Sequence, residues 1–234
     1  MSTNKVAIVT AAGRGIGAGI AKELHAQGYR LALMSPSGAA EKLARELSGV
    51  GVTGSVANPD HLSQIVDKTL EAYGRIDAVV NHTGHPPKGD LLEIPDKDWH
   101  RGLDMLLLNV VRMCRLVTPI MLRQGNGAIV NITTFATFEP EDIFPLSVSI
   151  RAGLSSFTKI YADKYAKAGI RMNNILPGFI DSLPEIKEQR ARIPMGRYGT
   201  VQEISKTAAF LLSTDASYIT GQNIRVDGGI TRHV

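Results

Sequence analysis

Short, largely apolar runs alternate with longer stretches of helical period along this chain. The runs fall at residues 6–10, 30–34, 51–56, 76–80, 128–132, 171–175 and 223–226. A strand without a polar face is one covered on both sides, as in a parallel sheet. Between the runs, the spacing predicts helices at 16–27, 39–47, 59–73, 98–123, 148–168 and 201–213. Local signals agree: Gly28 follows the first helix, Asn58-Pro59 opens the third, and Thr200 with Glu203 forms a capping box before the last. Strands alternating with helices imply βαβ units, and right-handed crossovers then place helices on both faces of a doubly wound parallel sheet. Nothing reads as a linker or repeat, so one α/β domain is expected over residues 1–234.

Composition narrows the classes. With 234 residues, 44% of them hydrophobic, the chain can bury one sizeable core rather than two. The net charge is +4, but its Lys and Arg are scattered, which argues against a nucleic-acid or membrane-surface partner. The one cysteine, Cys114, excludes an internal disulfide and a cysteine-based zinc site, and no metal site is expected. It lies in an apolar helical stretch, where a buried thiol acts as a small hydrophobe. No segment reads as the roughly 18 apolar residues of a membrane helix, no leader pattern precedes the first strand, and a cytoplasmic protein is expected.

The chemistry begins after the first strand. Thr10 is followed by Ala11-Ala12-Gly13-Arg14-Gly15-Ile16-Gly17, and a helix opens there. Glycines at a strand-to-helix turn let backbone approach a pyrophosphate, and the helix N-terminus offers free N–H groups and a positive dipole end. The spacing resembles the Thr-x-x-x-Gly-x-Gly-x-Gly loop of the short-chain dehydrogenase/reductase family. The resemblance continues through Asn81-His82-Thr83-Gly84, Asn109, residues 129–134, Pro177-Gly178-Phe179-Ile180, Met195–Gly199, Thr220-Gly221-Gln222 and Val226–Gly229. It implies a Rossmann-type fold, a nicotinamide dinucleotide, a short substrate lid at 182–193 and a 3-oxoacyl-reductase-like ancestry. Thr10, Gly13, Arg14, Gly15, Ile16, Gly17, Ser35, Ser37, Ser55, Val56, Asn81, Gly84, Arg151, Pro177, Gly178, Ile180 and Ser182 are its implied cofactor contacts. The second strand ends in Met34-Ser35-Pro36-Ser37 without the acid that would repel a 2′-phosphate. Arg14 adds a positive charge and the two serines add hydroxyl donors, so NADP(H) is expected over NAD(H).

The family's active site has asparagine, serine, tyrosine and lysine. On that alignment Asn109 is retained, Thr134 takes the serine position, Ser147 the tyrosine position and Arg151 the lysine position, one helical turn on. No tyrosine lies between Thr134 and Arg151. An aliphatic hydroxyl is a far weaker acid than a phenol, and an arginine that stays protonated to about pH 12 passes no proton. Losing general-acid catalysis removes roughly 10²–10⁴ in rate. His82 and His85 bracket Gly84 on a cleft-edging loop, and His85 is the favoured substitute donor. Glu139, Glu141 and Asp142, between Thr134 and Ser147, suggest an amine-bearing substrate such as an iminium.

The leading expectation is therefore a divergent NADP(H)-dependent oxidoreductase that transfers hydride to a small-molecule carbonyl, imine or conjugated double bond. The alternative is an NADP(H)-binding regulatory or structural protein without redox activity. A lyase, isomerase or dehalogenase-like activity is a third reading, disfavoured by the intact glycine loop. Apolar residues at 106–108, 157 and 160 on the two helices that family members pair, together with residues 224–234, imply a homo-oligomer, with a tetramer ahead of a dimer.

Overall fold

The computed structural model describes residues 5–233; residues 1–4 and 234, the ends of the expected domain span, lie outside the described residues. Seven strands make one parallel sheet: β1 (Val6–Thr10), β2 (Arg30–Ser35), β3 (Val50–Thr53), β4 (Ala78–Asn81), β5 (Gly127–Ile132), β6 (Ile170–Pro177) and β7 (Asn223–Val226). Their order is β3-β2-β1-β4-β5-β6-β7. The helices are α1 (Gly15–Ala26), α2 (Ala39–Glu46), α3 (Pro59–Tyr73), α4 (Asp96–Leu103), α5 (Asn109–Gln124), α6 (Pro145–Tyr165), α7 (Lys187–Arg190) and α8 (Val201–Leu212). This is the doubly wound Rossmann-type fold that the alternation predicts.

Successive strand residues feed opposite cores. Ala7 and Val9 pack with Ile20, Leu24, Leu43, Ile204 and Leu211 under α1, α2 and α8. Ile8, between them, packs with Ile65, Val117, Leu154 and Tyr161 under α3, α5 and α6. Two covered faces account for strands with no polar side.

Several boundaries move from their expected places. β4 begins at Ala78 rather than 76, because the Gln124 side chain satisfies the Ile76 backbone, accepting from its N–H (3.1 Å) and donating to its carbonyl (2.8 Å). β3 ends at Thr53, where the chain turns and Gly54 donates to the Ser35 carbonyl. α6 begins at Pro145, three residues early, since proline suits a helix's first position, so Ser147 lies in the first turn. The long helix expected at 98–123 is α4 and α5 joined by a π turn, Asp104–Leu108. Its apolar phase continues across the joint, so the wider turn leaves no mark on the sequence pattern. Arg112 bridges back to Asp104 over it (2.6 Å), and Asn109 follows directly. The absence of a membrane-length apolar helix is also corrected. The run Asp96–Gln124 contains an 18-residue window of mean hydropathy 1.6, but half of that window is buried in the domain, as expected of a core helix.

A buried polar line crosses the sheet among these apolar layers. Asn81, Asn131, Asn174 and Asn223 are in register on β4, β5, β6 and β7. Asn81 donates to Asn131 (2.9 Å), Asn131 to Asn174 (2.9 Å), and Asn174 to Asn223 (2.8 Å). Thr158 of α6 accepts from Asn131 and donates to Asn174. Each amide is useful only because its neighbour is present. Replacing Asn131 with leucine strands the Asn81 donor in a dry site, and a loss of about 2–4 kcal/mol is expected in urea unfolding. Asn223→Ala, at the half-exposed end, is expected to lose under about 1 kcal/mol. Equal losses at both positions would show that the line does not act as a unit.

Candidate functional site

Strand order reverses between β1 and β4, and a crevice opens there at the carboxyl ends of the strands. Thr10 pins its two sides: its hydroxyl donates to the His82 carbonyl (2.7 Å) and accepts from the His82 N–H (2.9 Å). The glycine loop lies directly above. Gly15 has φ 53°, a conformation that disfavours side chains. A Cβ on Gly17 would lie 2.3 Å from the Ala11 carbonyl oxygen. α1 starts with no side-chain cap and no acid in its first turn, so its leading N–H groups have no acceptor from a capping side chain. Backbone close to the surface, free donors and a positive helix end fit a pyrophosphate. Ser182 packs beside Gly15 and brings the base of the lid over the loop.

At the β2 end, Arg14 is exposed and pairs with no carboxylate among the described residues. The two serines differ. Ser35 is buried, donates to the Ser37 carbonyl (2.7 Å) and accepts from the Ala40 N–H (3.1 Å), so its proton is already committed. The expectation that Ser35 donates to a ligand is corrected; Ser37 is exposed and stands at the rim. Ser55 donates its N–H to His61 Nδ1 (3.0 Å) and caps the Ala57 N–H, shaping the turn that carries Val56. Across the crevice, Gly178 donates to the Val226 carbonyl and lies so close to Asp227 that a Cβ would approach its Cα to 2.8 Å. This fixes Pro177 and Gly178, while Ile180 is buried and bridges Gly199.

The opposite wall gathers four more expected residues. Arg151, on α6, is only 7% exposed. It donates to the Ile132 carbonyl (2.7 Å) and, through Nε, to Ser147 Oγ (3.3 Å). No carboxylate pairs with it among the described residues. Burial lowers its pKa to about 10, below the value of about 12 expected, yet it stays charged at neutral pH. Thr134 precedes the turn Phe135–Thr137, and its hydroxyl makes no bond within the protein among the described residues. Asn109 is buried with its side-chain oxygen turned to the Val110 N–H (2.6 Å), while Gly84 is exposed on the loop after Asn81.

Both histidines lie in the field of Arg151. His82 has its pKa lowered to about 3, by burial first and then by Arg151 and His85. Its Nδ1 is buried without a partner, as are the Thr83 and Thr137 hydroxyls. His85 is also shifted down, by burial, then Lys88, Arg151 and Arg14. A downward shift favours the neutral ring and so weakens His85 as a proton donor. Lys88 was missed in the sequence because its loop has no periodicity to place it.

The acidic loop is committed elsewhere. Glu141 pairs with Arg192 of the lid, and Glu139 accepts from the Arg232 and His233 backbone and the His233 ring. Only Asp142 remains, exposed on the loop. Glu139 and Glu141 therefore leave no unpaired carboxylate for the expected amine-bearing substrate, and the loop lends that expectation no support. The lid holds the short helix α7, tied down where Tyr198 donates to Gln189 (2.6 Å) and accepts from the Ile186 N–H (3.1 Å). Of the apolar positions expected at an oligomer face, Leu106 is buried in its own fold, Leu107, Leu108 and Phe157 are half-buried, and Ile160 is 66% exposed.

The chain matches the family described as Enoyl-(Acyl carrier protein) reductase over residues 10–231. It is 34% identical over 241 residues to the 3-oxoacyl-(acyl-carrier-protein) reductase FabG of Staphylococcus epidermidis, covering 97% of this chain and 99% of that one. It is 35% identical over 241 residues to the 3-oxoacyl-(acyl-carrier-protein) reductase of Synechocystis sp., covering 97% of each. Among solved structures, the TT0495 protein from Thermus thermophilus superposes with a TM-score of 0.89 at 32% identity, covering 97% of this chain and 98% of that one.

The displaced His82 titration has a measurable consequence. Its folded pKa of about 3 lies below the ordinary 6.5, so between the two values the unfolded chain binds the proton better. Stability present above about pH 6.5 is expected to drain away as pH falls toward 3. His82→Asn is expected to flatten the dependence of melting temperature on pH across that window; an unchanged slope would place the acid sensitivity elsewhere.

Proposed function

The chain belongs to the short-chain dehydrogenase/reductase family, among its 3-oxoacyl-(acyl-carrier-protein)-reductase-like members, and on that premise we propose that it is an NADP(H)-dependent oxidoreductase with a non-standard proton supply. The observation that carries this is the uncapped start of α1 inside a loop whose Arg14 is unengaged, beside a β2 end that lacks an acid. When bound, the reduced dinucleotide supplies a hydride. The residues divide as follows in this reading. The backbone of Gly13–Gly17 holds the pyrophosphate, and Arg14 with Ser37 meets the 2′-phosphate. Thr10 keeps the crevice open, and Ser55 and Val56 border the adenine. Asn81, Gly84 and Arg151 line the nicotinamide ribose. Pro177, Gly178, Ile180 and Ser182 close over the nicotinamide.

Thr134 and Ser147 take the positions of the family's serine and tyrosine, and Arg151 that of its lysine. Neither hydroxyl is acidic enough to protonate an alkoxide, so these side chains orient and polarise the substrate oxygen while water at the cleft mouth, near His85, supplies the proton. Asn109 fixes the helix beside them. Charge supports an acceptor that becomes anionic, since Arg151 is buried without a carboxylate. A homo-oligomer, with a tetramer ahead of a dimer, is part of the same proposal; exposed Ile160 on α6 supports it.

Fluorescence titration is expected to show NADPH binding more tightly than NADH. Arg14→Gln is expected to weaken NADPH about tenfold, the value of one charge-assisted contact of about 1.4 kcal/mol, and to leave NADH nearly unchanged. Equal losses for both coenzymes would remove the assignment of Arg14 to the 2′-phosphate.

A further inference from the structure

The lid belongs to a strap, residues 181–198, that is fastened on both sides of the crevice, and one fastening is ionic. Resting on the coenzyme reading above, we propose that the Glu141–Arg192 pair is a latch that sets how fast the dinucleotide enters and leaves the crevice. Neither residue lies in the motifs that carry the family resemblance.

The path of the strap comes first. It leaves the sheet after β6 and returns at Gly199, which bridges Ile180. Gly199 donates to the Phe179 carbonyl (2.9 Å) and Asp181 to the Gly199 carbonyl (2.9 Å), so the two roots are fixed together. Between them the chain crosses the crevice. At Ser182 it lies against the glycine loop that follows β1: a Cβ on Gly15 would stand 3.3 Å from the Ser182 Cβ. At Arg192 it reaches the loop between β5 and α6. There Nη1 donates to one oxygen of the Glu141 carboxylate (3.2 Å) and Nη2 to the other. β4 lies between β1 and β5 in the sheet. The strap therefore spans the place where strand order reverses, which is where a dinucleotide binds in a fold of this kind. All of these attachments join protein groups, so the strap needs no ligand to stay down.

A fastening that opens and closes must be cheap to break. Ile193 and Tyr198, in the second half of the strap, are buried and pack with Phe135 and Ile230, so lifting them would expose apolar surface. Arg192 and Glu141 differ. Their side chains are 46% and 16% exposed, so water solvates both as they part. They form the one ion pair between the strap and the β5–α6 loop among the described residues. Glu139 does not replace Glu141, because its carboxylate already accepts from the His233 N–H (2.9 Å) and the Arg232 N–H. The part that lifts is thus residues 183–192, with Ile193 as its anchor. A second tie lies on its inner side, where Tyr198 holds Gln189 and Ile186. Arg192 also stands over the Phe179 ring (5.9 Å), so its release uncovers the residue that follows Pro177-Gly178.

Two measurements read the latch. The first needs no coenzyme: trypsin is added to the full chain, and cleavage is followed after Lys187 and Arg190, both exposed on the part that lifts. Glu141→Gln is expected to be cut there about fivefold faster than the wild type at an unchanged melting temperature, the scale of one exposed ion pair. The second follows NADPH binding and displacement by stopped-flow fluorescence. A latch acts on passage rather than on the bound state. Glu141→Gln is therefore expected to raise the association and dissociation rates together, each about fivefold, with Kd nearly unchanged. The exchanged pair, Glu141→Arg with Arg192→Glu, is expected to bring both rates back toward the wild type. Tyr198→Phe, which cuts the inner tie, is expected to speed exchange independently of residue 141. Failure of NADPH to bind sinks the coenzyme reading and the gating of its exchange with it. NADPH binding with both rates unmoved in Glu141→Gln, a changed Kd at a constant association rate, or cleavage no faster than in the wild type overturns this inference alone.

Discussion

The asparagine line is the constraint on which the rest of this structure depends. Four amides, one from each of β4 to β7, share a row of hydrogen bonds inside an apolar sheet. A backbone ladder tolerates many side chains, and a purely apolar strand can slip by two residues and still bury its faces. A slip here would leave four amides without partners, each at the cost of a buried unsatisfied group. The row therefore fixes register where it matters chemically. His82, Thr133 with Thr134, and Pro177 with Gly178 all follow within three or four residues of a ladder asparagine. Thr158 ties the same row to α6, the helix that carries Ser147 and Arg151. Both walls of the crevice are thus positioned by one connected set of buried polar contacts.

Against that rigid frame, the crevice keeps a charge it does not neutralise. A buried guanidinium without a carboxylate is unfavourable for the fold, and its depressed pKa reports this. Two bonds to Ile132 and Ser147 offset part of that cost. The remainder is the kind of local instability that a stable scaffold can carry when a ligand is to supply the missing anion. The unpartnered Nδ1 of His82 and the Thr83 and Thr137 hydroxyls cluster in the same few segments. Among the described residues no other fully buried side-chain nitrogen or oxygen lacks a partner, so the unmet buried groups concentrate where chemistry is proposed.

Much of this was legible from the residues alone, and what was not has a physical cause. Continuous apolar runs gave the strands and the helical period gave the helices, since burial on both sheet faces makes nearly every strand residue apolar. Glycine spacing placed the phosphate loop, because only glycine fits at Gly17 beside the Ala11 carbonyl. The spacing of Ser147 and Arg151 placed both on one face of α6, and they are bonded. The π turn stayed hidden, because adding one residue to a turn does not interrupt an apolar stripe that is wide enough. The partners of Ser35, Glu139 and Glu141 stayed hidden for a different reason. A hydroxyl or carboxylate shows its capacity in sequence, but which group comes within reach is decided by loops that carry no period. The acids of that loop are countable in the sequence, but their partners, Arg192 and the backbone at Arg232 and His233, are not.

The engagement of those acids also links the outer segments to the chemistry. Glu141 holds the lid through Arg192, and Glu139 holds the chain's tail, while Arg225 stacks over Phe138 and donates to the His233 carbonyl. The segment between β5 and α6 is clamped from two directions at its outer edge. At its inner edge Phe135 packs with Ile193, Tyr198 and Ile230. A loop fixed on both sides holds Thr134 at one end and Ser147 at the other in a constant relation, as preorganised donors require. The same clamps withdraw negative charge from the crevice. Positioning and electrostatics are therefore two consequences of one set of contacts, and a change at Arg192 or at the tail would act on both.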